Sequence, residues 1–163
     1  MNRIFSIIFF ASLSFVFIIL QTTLFSPNHF GLFYPDLNLI LIVFLSLFSE
    51  TKGGAIIALG NAYMTDVLSG YLFGIHTFSR LAVFTILKGF SENVYSQSKL
   101  TQGIAIFSST IFSWFFVWAV LKMKTDIEFN ISAGGVIAQG AINILVGFPI
   151  FWIIKKTHAR IQT

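Results

Sequence analysis

Asp66 and Arg80 are ionisable residues set inside otherwise apolar runs of this sequence. A charged side chain near the centre of a bilayer costs about 2.5–3.5 kcal/mol on insertion scales, so each marks a constraint, either a partner or a function. The segment that carries Asp66 ends four residues later at Gly70, and the one that carries Arg80 begins five residues earlier at Ile75. On a helical rise of about 1.5 Å per residue, both lie roughly 6–8 Å from the same end of their helices. The two are expected to form an ion pair across adjacent antiparallel helices; the blander alternative is that Arg80 alone snorkels toward the interface.

Other reactive chemistry is sparse. His29, His76 and His158 are scattered, without metal-ligand spacing. The absence of Cys excludes disulfides, thiolate ligands and cysteine nucleophiles. No phosphate-binding GxxxxGK[ST] loop, GxSxG elbow or HExxH helix occurs. The six acidic residues are dispersed, and no nucleophile, base and stabiliser can be assembled from what remains. The sequence therefore reads as non-enzymatic, with no metal and no cofactor.

Neutral polar residues show more order. Gly54, Ala58, Asn61, Thr65 and Ser69 follow helical spacing, as do Gly135, Gln139, Asn143 and Gly147. Small residues let helices approach, and polar ones hydrogen-bond across them. Asn61, Thr65, Gln139 and Asn143 thus form a candidate interhelical face, read either as ordinary packing or as a polar cavity between the third and sixth helices. Gly70 and Gly74 fall at a turn. Pro35 and Asp36 suit the first turn of a helix, Pro for its fixed φ and Asp for the positive end of the dipole. Trp114 and Trp118 share a face of the fifth helix and are expected to anchor it in lipid.

The elements that position these residues follow from the hydropathy pattern. The chain is 56% hydrophobic and 10% charged, whereas soluble domains average about 25% charged. A helix needs roughly 20 mostly apolar residues to cross a bilayer, and six segments come near this: 4–25, 35–49, 53–70, 75–90, 103–121 and 136–154. Backbone groups in lipid must be satisfied within a segment, so these are helices, and the fold class is an all-α membrane bundle in a single domain. The first segment is too long for a signal peptide and reads as a retained span. The second is short and is expected to be shielded by its neighbours or to dip in the membrane. With the N-terminus inside, Arg3, Lys52, Lys88, Lys99, Lys155, Lys156 and Arg160 fall on the cytoplasmic side and only Lys122 and Lys124 outside, in keeping with the positive-inside rule. Both termini are then cytoplasmic, and the basic tail lies against the lipid surface. The basic residues are too dispersed for nucleic acid.

The run from Tyr34 through Pro35, Asp36, Leu37 and Asn38 to Leu41, with Asp66, Gly70, Gly74 and His76 about thirty residues later, resembles the rod shape-determining protein MreD family of bacteria. The similarity is densest between Pro35 and His76 and extends to Lys156. Asn61, Tyr63 and Thr65 are more polar than that family's pattern, and Arg80 is not part of it. The resemblance implies a non-enzymatic inner-membrane subunit of the cell-elongation machinery, which binds the single-span protein MreC and through it links actin-like MreB to the wall synthase RodA and its transpeptidase. Pro35, Asp36, Asp66, Gly70 and Gly74 would shape its partner-binding face. The implied fold is similar to the substrate-binding subunit of energy-coupling-factor transporters. The alternative function is therefore a small-molecule-binding transporter subunit, with Asn61, Asp66, Gln139 and Asn143 lining its pocket.

Overall fold

The segment Leu37–Phe48 has only Asn38 and Ser46 to interrupt its apolar run, and it forms the axis of the molecule. The computed structural model describes residues 3–23, 34–49, 51–69, 74–124 and 132–162. These fold into α1 (Arg3–Thr23), α2 (Leu37–Phe48), α3 (Thr51–Ser69), α4 (Ile75–Ser91), α5 (Lys99–Lys124) and α6 (Ala133–Gln162). Every residue of α2 from Leu37 to Ser46 is buried, because α2 packs against all five other helices. The expected shielding of this short segment is met in full.

The other helices stand around α2 in chain order. α1 packs on α3, α3 on α4, α4 on α5 and α5 on α6. α1 and α6 both pack on α2 but share no comparable interface with each other, and aromatic rings fill the angle between them. Phe44 of α2 lies 5.9 Å from Phe10 of α1 and 5.2 Å, edge to face, from Phe151 of α6. Such offset and edge-to-face pairs add to the packing beyond their area. Gly147 gives α6 room against α5, since an added Cβ there would lie 2.6 Å from Ile106 Cδ1 and meet Ile40 of α2 only at an ordinary 3.8 Å.

By length and composition, three of the described helices can cross a membrane, through residues 5–23, 99–123 and 133–157. α5 and α6 run beyond the segments 103–121 and 136–154 at both ends, since polar residues such as Lys99, Gln102 and Lys155 continue a helix as readily as apolar ones do. Pro35 stays outside α2. Asp36 is the N-cap, its carboxylate accepting from Leu39 N, so the acid caps the helix from just outside its first turn.

Candidate functional site

The N-terminus of α2 starts deep among the other helices, and its free N–H groups and capping acid must be satisfied there. Asp36 Oδ1 accepts from Leu39 N at 2.9 Å and from Gln21 Nε2 of α1 at 3.2 Å. Arg80 Nη2 of α4 reaches both Asp36 oxygens at 3.3 Å. The Asp36 backbone N–H donates to Asn143 Oδ1 of α6 at 2.8 Å. One residue on α2's threshold thus ties together α1, α2, α4 and α6.

The ion pair of this site corrects the expectation from sequence. Arg80 pairs with Asp36, not with Asp66, and its other terminal nitrogen donates to Thr65 Oγ1 of α3 at 2.7 Å. The Arg80 side chain is 2% exposed and that of Asp36 18%, so the pair is open only on the acid's side. Asp66 has a different task. It accepts from the backbone N–H groups of Gly74 (3.1 Å), His76 (2.9 Å) and Thr77 (2.8 Å), and from the Thr77 hydroxyl. These donors form the N-terminus of α4, whose N-cap is Gly74 at φ +94°, a conformation that glycine adopts freely and that leaves the helix without a capping side chain of its own. Asp66 supplies the cap from the neighbouring helix, and a carboxylate there is also favoured by the dipole. Gly70 lies outside the described residues.

Neutral polar groups extend the site in two branches. On one side, Gln21 Oε1 accepts from Asn38 N and from Asn38 Nδ2. Asn61 Nδ2 then donates to Asn38 Oδ1 at 3.0 Å and to Ser14 Oγ at 2.7 Å. On the other side, Asn143 Nδ2 donates to Thr110 Oγ1 of α5 at 2.9 Å. Gln139 Nε2 donates to Tyr34 O at 3.2 Å, and its oxygen accepts from Trp114 Nε1. Asn61, Gln139 and Asn143 are all at least 97% buried.

The predicted face of Asn61, Thr65, Gln139 and Asn143 is therefore divided. α3 and α6 share no broad interface; the start of α2 stands between them, bonded by Asn61 from one side and by Gln139 and Asn143 from the other, while Thr65 meets Arg80. Trp114 turns inward to Gln139 rather than to lipid, whereas Trp118 is 39% exposed with Lys122 Nζ 5.0 Å over its ring. Sequence reasoning missed Gln21, Asn38, Thr110 and Ser14. Asn38 did carry a signal, since its amide has no place in an apolar helix unless it is bonded.

At the other end of α2 the polar contacts change sign. Lys88 Nζ donates to Ser49 O at 2.9 Å, and Lys155 Nζ donates to Gln97 Oε1 at 3.0 Å while lying 3.9 Å over the Phe48 ring. An acid at the N-terminus of α2 and a lysine at its C-terminal carbonyls both complement its dipole. Among the described residues no group of three or more His, Cys, Asp or Glu could hold a metal ion. No protein-family model, curated protein or solved structure matches this chain.

Proposed function

We propose that all six helices lie in a bilayer with both termini cytoplasmic, and that the chain is a non-enzymatic scaffold subunit of the bacterial cell-elongation machinery, of the kind the MreD resemblance implies. The observation that carries the membrane reading is where apolar and polar residues point. α3 and α4, the two long helices least apolar in composition, turn Asn61, Asp66 and Arg80 inward and present Ile56, Leu59, Leu68, Phe78 and Ile86 outward. Outward apolar faces on every peripheral helix suit lipid, and inward polar groups bonded across helices suit a membrane bundle.

The scaffold reading is supported by the state of the polar corner. Of the residues a ligand pocket would use, Gln139 and Asn143 both donate and accept within the protein itself, the Asn61 amide nitrogen donates to Asn38 and Ser14, and Asp66 is committed to the start of α4. Among the residues that carry the resemblance, Asp36 caps α2, and Asp66 with Gly74 makes the start of α4; a partner's single span would meet the bundle at these helix starts. The partner would be MreC-like, and through it MreB, RodA and its transpeptidase. Affinity purification of the full chain from bacterial membranes tests this. Recovery of an MreC-like single-span protein, lost in Asp36→Ala, is the expected result; recovery of an ATPase module instead would favour the transporter subunit.

A further inference from the structure

Within the polar corner two buried atoms have no hydrogen-bond partner, Asn61 Oδ1 and Arg80 Nε. They are of opposite kinds, an acceptor and a donor, and neither can be relieved by reorienting its side chain. An ionised carboxylate only accepts, so Gln21 must present Nε2 to Asp36. That turns Gln21 Oε1 to the Asn38 amide, which turns Asn38 Oδ1 to Asn61. Asn61 must then offer its two N–H groups to Asn38 and Ser14 and keep its oxygen free. Flipping Asn61 would set two amide oxygens 3.0 Å apart. Arg80 stays protonated under all conditions, and its terminal nitrogens are engaged by Asp36 and Thr65. An unmet buried group costs about 1–3 kcal/mol, more if charged.

The two residues are joined through Thr65. Arg80 Nη1 is 2.7 Å from Thr65 Oγ1, which is itself 2.9 Å from the backbone oxygen of Asn61. We propose that the bundle binds ordered water between α3 and α4, which accepts from the Arg80 Nε–H and donates to Asn61 Oδ1. The pairing of a free donor with a free acceptor selects the ligand. An anion would satisfy Arg80 and repel the amide oxygen; a cation would do the reverse. A small neutral molecule that both donates and accepts serves both, and water is the smallest. Buried waters occur about once per 27 residues and typically make about three hydrogen bonds to groups of this kind.

The chain has three arginines, Arg3, Arg80 and Arg160. Arginine-selective 15N labelling in lipid nanodiscs therefore gives three Nε–H signals, and Arg3→Lys and Arg160→Lys assign that of Arg80 by elimination, leaving the site untouched. Magnetisation selected on water should reach the Arg80 Nε–H, and this proton should exchange with deuterated water on the order of tenfold more slowly than those of the two terminal arginines, as a locally protected group does. A signal that receives nothing from water would overturn the proposal. So would exchange as fast as at the termini, which would mean open solvent, or a dipolar contact to lipid phosphorus, which would put an anionic headgroup there.

Discussion

Arg80 is nearly closed off from its surroundings, and its charge is balanced by one carboxylate 3.3 Å away. Removing one partner of such a buried pair leaves the other uncompensated, at a cost of about 3–5 kcal/mol, whereas removing both is much less harmful. Asp36→Asn and Arg80→Met should each destabilise the protein by that amount in detergent or nanodisc unfolding, and the double variant should cost less than their sum by about 1–3 kcal/mol. The same cycle run on Asp66→Asn with Arg80→Met should be additive within about 0.5 kcal/mol. A larger coupling for Asp66 than for Asp36 would return the pair to the partner that helix arithmetic suggests. That arithmetic placed Arg80 and Asp66 at one depth, and both are buried. It could not give the direction in which each side chain leaves its helix. In the sequence the positive end of the α2 dipole already accounts for an acid at position 36; in the structure Asp36 both caps the helix and balances Arg80.

Among the elements, α2 and the start of α4 carry the most specific demands. α2 has twelve residues, about 18 Å of helix at 1.5 Å per residue, too short for a hydrocarbon core of about 30 Å. Its shortness was plain in the sequence and implied a shielded position. That all five other helices touch it was not, since no pattern within one segment specifies its neighbours. Phe44, 3% exposed between Phe10 and Phe151, closes the angle between α1 and α6. Phe44→Ala should lower stability by about 3–5 kcal/mol, with α1 and α6 becoming more open to hydrogen exchange. At α4, Gly74→Ala forces an L residue to φ +94° and should cost about 1–2 kcal/mol, while Asp66→Ala removes the cap and should cost about 0.5–2 kcal/mol. Both should raise exchange at the first amides of α4 and leave its last turn unchanged. A uniform increase along α4 would show that Asp66 acts on more than the helix start.

For the whole molecule, segment count and helical class were legible from the blocks of apolar residues, and the six helices formed where those blocks lie. By length and composition, three of the described helices are apolar enough to cross a membrane. α3 and α4 are less apolar on average because the polar groups that Asp36, Asn38 and α5 require sit on their inner faces, and α4 is also short at 17 residues; an average over the segment cannot separate an inward residue from an outward one. Orientation is the claim on which the membrane account and the scaffold proposal both depend. The chain contains no Cys, so single cysteines can be introduced at positions 50, 71, 95 and 123 and labelled with a membrane-impermeant maleimide in vesicles of known orientation. Positions 71 and 123 should react only from the outer side, and 50 and 95 only from the cytoplasmic side. Labelling of position 71 from the same side as 50 and 95 would mean that α3 and α4 do not cross the membrane, and would contradict the account.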